Sequence, residues 1–587
     1  MALLAGVVLA GLLIAPKLVR AGAASISEAL RNRFGAVAAG AGGVVLVLVV
    51  LPLLAAELAT IGLLAEASLD LPYLPAIVAA VMASIVMSAL VSGRAFGWLA
   101  TAAFMMLLAS LLVMLMPLAS KSHGLVLPHI AYGDALTGVD RLEQQLIETG
   151  LVEFETFSVH VTPFLRLSRL DTFALVVSLA LGVAVLPQLA SALTSEGRPA
   201  ATVRLAGAWG ALFVMLVLIT VPALAAYAKL EIYGAMTANT PLAALPTWLE
   251  APLGAGLAHV HGTSLAMLDQ VAKAVSAGQT DPAAIADSLA AHALAMEQRW
   301  LALDEQVRSV MIEAARTLGA SASSSDLWQA YIGRVLPVAA AAAGNDTATL
   351  TQAALVIEPL GLLLALPALS GAPSWILLGI LLPALIVAAA LARSLIAVAL
   401  AGRPREAASE RGPLRAYALT LIVPLAAAGF AALRSDELVA IAVAALSLAA
   451  AGLFPVLALG LAWKRATAAG AIAAILLGGG VTFYYDIGIR VFPAAFYRTW
   501  APLSNAGEFA IEEFETLTAE ARDAENDEVR VSAEATLETL ARGTPGRAGL
   551  ANWFGIDSSS GAVFGVPIGF AALVLISLAT PRRKDQP

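Results

Sequence analysis

Runs of about 20 apolar residues recur along most of the chain, near 2–19, 39–64, 73–94, 96–118, 172–194, 203–228, 374–401, 414–433, 437–461, 466–486 and 561–580. Each is long enough to cover roughly 30 Å of hydrocarbon at about 1.5 Å per residue, so the pattern predicts eleven membrane-crossing helices. A further apolar run, 353–370, holds Glu358, Pro359 and Pro367 in a short space and predicts a re-entrant or surface-lying element.

The connectors at alternate ends are basic. Lys17, Arg20, Arg31 and Arg33 fall on one side, followed by Arg94, by Arg198 and Arg204, by Arg403, Arg405, Arg411 and Arg415, by Lys464 and Arg465, and by Arg582, Arg583 and Lys584. Positive residues are retained on the cytoplasmic side, and the parity holds only if 353–370 does not cross. The N-terminus is then expected outside and the C-terminus inside, with the loops 119–171, 229–352 and 487–560 outside. The first apolar run has its basic residues after it, the reverse of a signal peptide, and reads as a retained span.

Two of the long polar stretches have helical patterning of their own. Leu289, Ala293, Met296, Trp300, Leu303, Val307, Val310 and Ala314 step by four and three, a heptad-like seam that predicts either a lid helix packed on its own protein or a docking face for a second subunit. The segment 507–541 is strongly acidic yet carries Phe509, Phe514, Leu517, Leu537 and Leu540, which predicts a helical hairpin.

Composition agrees with a polytopic all-α membrane protein: 60% of the 587 residues are hydrophobic and 13% charged, with a mean hydropathy of +0.85. The net charge of −8 comes from the acidic loops and gives no reason to expect nucleic acid. The absence of cysteine excludes disulfides and thiolate chemistry. No phosphate-binding glycine loop, nucleophile elbow or zinc-protease motif occurs, so neither ATP coupling nor an enzyme is predicted. His259, His261 and His292 raise a metal site, but their spacing is generic and no acidic ligand pattern accompanies them.

Within the fifth apolar run, Gly182 and Pro187 interrupt the helix and Gln188 places an amide beside the break. Transporters bind substrate where a helix is broken near mid-membrane, because backbone groups are free only there. A packed proline kink produces the same pattern.

Around this break and in several other blocks, over most of the chain apart from 234–350, the sequence resembles the sodium:solute symporters, in particular their cation/acetate branch. "FALVVSLALGVAVLPQLASALTSEGRPAATVRLAGAW" with "VPALAAYAKLEIY" resembles that family's sixth and seventh core helices. "LFPVLALGLAWKRATAAGAIAAILLGGGVTFYY" and "NWFGIDSSSGAVFGVPIGFAALVLISLATP" resemble its last part, "VLPHIAYGDALTGVDRLEQQL" its outer loop and "SISEALRNRFG" the loop after its second core helix. The resemblance implies an inverted-repeat helical bundle working by alternating access, with sodium or a proton driving uptake of a small organic anion such as acetate or pyruvate. It implies a bacterial inner-membrane protein surrounded by lipid, with no cofactor beyond a coupling sodium ion.

On that reading the chain divides into a first bundle part (1–228), an extracytoplasmic helical insertion (229–352), a second bundle part (353–486), an acidic extracytoplasmic loop (487–560), and a last span with basic tail (561–587). Gly182, Pro187 and Gln188 are the expected substrate-binding residues.

Three departures stand out. The family's cation site uses a Ser-Thr pair on its eighth helix, and the matching positions here are Ala392 and Arg393, with Ser394 one residue on. A guanidinium at about 4 Å repels a cation by roughly 4 kcal/mol at an effective dielectric near 20. The family's first two spans have no counterpart, and its His and Arg at the break are Gln188 and Ala192. Arg393 therefore snorkels toward the basic end, stands as a fixed internal cation for which Glu57 and Glu358 are the candidate partners, or marks a slipped register in which Ser394 supplies one hydroxyl. The function expected is a secondary transporter of this type. The alternative is a transport-incompetent relative serving as scaffold, sensor or partner subunit, for which a small membrane partner subunit is the candidate partner.

Overall fold

The computed structural model describes residues 1–91, 93–123, 128–149, 164, 167–194, 199–345, 349–351, 354–401, 412–433, 437–524, 527–544 and 547–581. Arg198, Arg403, Arg405, Arg411, Arg582, Arg583 and Lys584 of the charge argument, and much of the loop 119–171, lie outside them.

The helices that precede the long insertion are α1 (Ala2–Arg20), α2 (Ile26–Phe34), α3 (Ala36–Leu69), α4 (Tyr73–Leu90), α5 (Gly93–His123), α6 (Tyr132–Glu148), α7 (Arg169–Ala184), α8 (Pro187–Thr194) and α9 (Ala200–Thr237). The insertion contributes α10 (Glu250–Gly254), β1 (Ala258–Val260), α11 (Leu265–Ser276), α12 (Pro282–His292), α13 (Leu294–Ala302), α14 (Glu305–Leu318), α15 (Ser324–Ala330) and α16 (Leu336–Ala342). After it come β2 (Leu355–Ile357), α17 (Pro359–Ser370), α18 (Leu378–Ala401), α19 (Gly412–Ala432), α20 (Leu438–Pro455), α21 (Ala468–Val491), α22 (Pro493–Trp500), α23 (Glu508–Asp523), α24 (Asp527–Arg542) and α25 (Ala562–Ala579).

Among the described residues nine helices are long and apolar enough to cross a membrane, and α7 with α8, bent by 45° at their break, makes a tenth. The remaining predicted window, 414–433, falls on α19, whose Leu421–Ala432 is a shorter apolar stretch. The chain is an all-α polytopic membrane protein. The run 353–370 forms β2 and α17. The 12 residues of α17 reach only about 18 Å, short of a crossing.

The bundle is built around α3 and α20. The 34 residues of α3 extend about 51 Å and pack against α4, α18, α19 and α20. In the span Leu438–Gly460 the apolar window is 78% buried, against 28% in Gly93–Lys121, so α20 is central and α5 peripheral. Small residues permit this: Ala449, Ala450 and Ala451 on α20 are fully buried, and a side chain at Gly478 of α21 would meet the Ala451 carbonyl at 2.6 Å.

The heptad-like seam is not one helix. Extended backbone at Ala293 and Leu303 cuts it into α12, α13 and α14, so the apolar step survives while the axis turns. Leu289, Met296, Trp300, Leu303, Val307 and Ala314 are buried within the protein's own core, which also takes in Leu115, Leu118, Ala135 and Tyr227 of α5, α6 and α9. The acidic segment forms the hairpin α23–α24, with Phe514 and Leu537 buried and Phe509 exposed.

Candidate functional site

The break between α7 and α8 is a tight turn. Val185 N–H donates to Gly182 O and Leu186 N–H to Val183 O, each at 3.2 Å, after which Pro187 starts α8 without an N–H to lose. Gly182 is a crossing point rather than an open surface, since a side chain there would lie 2.2 Å from the Leu446 carbonyl of α20. Pro187 is buried. Gln188 keeps its amide oxygen buried without a hydrogen-bond partner, while Ser191 Oγ donates to the Gln188 carbonyl at 3.0 Å. An orphaned buried amide costs free energy on the order of 1–3 kcal/mol, so a group that satisfies it is stabilised there.

α8 packs against α18, which brings the break beside the helix that carries Ala392, Arg393 and Ser394. Ala392 is fully buried, and Ser394 Oγ donates to Leu391 O of its own helix at 2.6 Å. Arg393 turns away toward the start of α5, its guanidinium 5.3 Å from the centre of the Phe96 ring and about 4.0 Å from where a side chain at Gly93 would begin.

Neither expected partner reaches it. Gly43 of α3 faces Val398 of α18, so in this antiparallel pair Glu57 lies about nine residues, roughly 13 Å, beyond the level of Arg393. Among the described residues no ion pair joins Arg393 to Glu57. Glu358 is committed elsewhere.

Glu358 immediately precedes α17 and accepts a 2.9 Å hydrogen bond from Arg299 Nη2 of α13. His259 Nε2 lies 3.5 Å from the same Oε1, close enough for an ion pair but without hydrogen-bond geometry. Burial pushes the Glu358 carboxyl up, but His259 and the Arg299 guanidinium outweigh it and hold the group below the usual carboxylate range. β1 and β2 set this meeting: Ala258 pairs with Ile357 and His259 with Val356, antiparallel.

Arg299 and Glu358 form the charged edge of a cavity of about 90 Å³ whose other walls include Ala56, Ala59 and Leu63 of α3, Tyr73 of α4, Met296 of α13, and Leu438 of α20. The cavity sits between the insertion and the bundle, and Ala56 is the neighbour of Glu57. Sequence reasoning marked Glu358 but missed Arg299 as its partner and the cavity behind them.

His259 and His261 point to different surroundings. His261 Nε2 lies 3.2 Å from Asn345 Nδ2, and burial pushes its imidazole below the ordinary value. Among the described residues no three His, Asp or Glu side chains converge on one metal position.

No family model matches the chain. A protein of Cupriavidus necator described as an uncharacterized symporter is 30% identical over 253 residues, 40% of this chain. The match spans 29% of that relative's length. The apolar helices make the chain a multi-pass membrane protein, and over the matched stretch it is similar to a protein described as a symporter.

Proposed function

We propose that the protein is a secondary transporter resembling the sodium:solute symporters, which moves a small monocarboxylate such as acetate or pyruvate by alternating access. The observation that carries this reading is the broken helix α7–α8, where the buried Gln188 amide oxygen has no protein partner and α18 lies alongside. A helix break inside a bundle is where backbone and side-chain polar groups are free to hold a solute. The amide can donate to a carboxylate through its nitrogen and bind a coordinated cation or proton donor through its oxygen.

In this reading the insertion faces outside and the basic connectors face the cytoplasm of a bacterial inner membrane, with the N-terminus outside and the C-terminus inside. The cavity between α3, α4, α13 and α20 is then the outer vestibule, and the Arg299–Glu358 pair closes its edge. Solute passing the pair reaches the flank of α3, from which rocking of the repeats opens the break to the other side. Because Ala392 and Arg393 stand where the family has its Ser-Thr pair, α18 supplies no hydroxyl pair, and cation coupling must draw on other oxygens.

The test is uptake of radiolabelled acetate and of pyruvate into proteoliposomes holding the full chain, with sodium, proton or no imposed gradient. Gradient-driven accumulation above protein-free liposomes supports the transporter. No accumulation of either acid under any gradient, with intact folded protein, overturns it in favour of a scaffold or partner subunit.

A further inference from the structure

His259 is buried without the partners a histidine needs. It is 4% exposed, its Nε2 faces Glu358 Oε1 at 3.5 Å, and its Nδ1 has no hydrogen-bond partner among the described residues. A neutral imidazole presents one donor and one acceptor, so the ring is incompletely satisfied in either tautomer. Its neighbours in β1, Ala258 and Val260, are fully buried and apolar, and packing alone would favour the same at 259.

The oxygen that His259 faces is shared. Arg299 Nη2 lies 2.9 Å from the same Oε1, so one carboxylate oxygen stands between a guanidinium and an imidazole. Glu358 and Arg299 line the cavity of about 90 Å³, while His259 lies outside its lining. Of the elements packed around this edge, α12 brings His292 to the cavity wall and α4 brings Tyr73, whose hydroxyl donates to Ala431 O at 2.7 Å. α10, packed on β1, carries Glu250 as its first residue and buries Pro252 and Leu253.

We propose that this edge is a binding site for a short monocarboxylate anion that enters together with one proton: Arg299 passes from Glu358 to the carboxylate of the bound acid, while His259 takes the proton and holds the released Glu358. Charge fixes the stoichiometry. With His259 neutral, Arg299 and Glu358 cancel, and a further anion among Ala56, Ala59, Leu63 and Leu438 would leave a negative charge unpaired, which is costly away from water. A proton on His259 sets two cations against two carboxylates. The proton comes from solvent and resides on the imidazole, and no covalent bond between heavy atoms changes. A guanidinium recognises a planar carboxylate through paired N–H donors, and Glu358 fills that role until the ligand arrives. The apolar walls suit the short aliphatic part of such an acid.

The site stands on these residues alone, whereas its place on a route across the membrane rests on the transporter reading above. Arg299 and His259 both belong to the insertion, so the insertion supplies the cations and the bundle the apolar walls.

The test is binding of radiolabelled pyruvate to the full chain purified in detergent, at pH 6 and pH 8. Pyruvate stays ionised at both, so a change belongs to the protein. One proton entering with one anion weakens binding by up to about tenfold per pH unit. Binding common to both pH values belongs to the helix break, and the component that depends on pH reads this site. Wild type should show a saturable component at pH 6 that is at least tenfold weaker at pH 8, absent from Arg299→Gln and from His259→Gln. Glu358→Gln removes the built-in competitor and its charge, and should bind at both pH values at least tenfold more tightly than wild type does at pH 8. Misfolding cannot produce that gain. No pH-dependent component in wild type, its persistence in His259→Gln or Arg299→Gln, or loss of binding at both pH values in monodisperse Glu358→Gln overturns the site. In proteoliposomes, pyruvate uptake unchanged in Arg299→Gln removes the site but leaves the transporter, whereas the pH-dependent binding without uptake keeps the site and removes the transporter.

Discussion

Arg299 Nη2 donates a 2.9 Å hydrogen bond to Glu358 Oε1, joining residues 59 positions apart across the seam between the insertion and the bundle. The pair is mostly shielded, with side chains 27% and 15% exposed, and it borders a cavity lined by Ala56, Ala59 and Leu63 of α3.

Glu358→Gln removes a charge-assisted hydrogen bond and lowers stability by roughly 2 kcal/mol at neutral pH. The pH dependence follows from the sign of the shift. Because the folded carboxyl lies below its ordinary value of 4.5, the stabilisation is complete above that value and is lost as pH falls through the lower folded value. Thermal unfolding of both proteins across pH 3 to 8 should therefore show the gap between them closing only on the acid side. A gap independent of pH would mean that Glu358 acts through packing.

His261 contributes in the same direction over a higher window. Burial lowers its imidazole below 6.5, so the unfolded chain binds the proton more readily and stability falls as pH drops through that value. His261→Gln should flatten the wild-type loss between about pH 7 and 5, as measured by thermal unfolding.

Gly182→Ala forces α7 and α20 apart, because the new methyl would fall 2.2 Å from the Leu446 carbonyl. The expected cost is about 1–3 kcal/mol, read as a lower melting temperature and loss of a monodisperse peak. Gly480→Ala on α21, where a side chain meets nothing within 4 Å, is the control and should be neutral or stabilising by up to about 1 kcal/mol.

Arg393→Leu should leave the fold intact and shift stability by about 1 kcal/mol or less, the worth of a half-buried contact with the Phe96 ring. The double change Ala392→Ser with Arg393→Thr should likewise not create sodium dependence, since Arg393 faces the start of α5 instead of the break. A sodium requirement that appears in the double variant would place Arg393 in an ion pocket.

Hydrophobic run length carried the bundle, because spacing along the chain is a local property. Ten of the eleven windows coincide with long apolar helices or the bent pair, and Gly182 with Pro187 marked the bend correctly. Chain breaks without proline or glycine were not visible: Ala293 and Leu303 end helices through backbone conformation alone, so three helices read as one seam. Partners far apart in sequence were also hidden. Glu358 drew attention as a carboxylate in an apolar run, while nothing in the local pattern singled out Arg299.

The central claim is that solute is held at the break. The direct measurement is the concentration dependence of acetate and pyruvate uptake by reconstituted Gln188→Leu protein beside wild type, at equal amounts of folded protein. Loss of the amide should raise KM or lower maximal uptake at least tenfold for the transported acid, with thermal stability unchanged or increased because an unsatisfied buried oxygen is gone. Uptake by Gln188→Leu indistinguishable from wild type would show that the solute does not bind there.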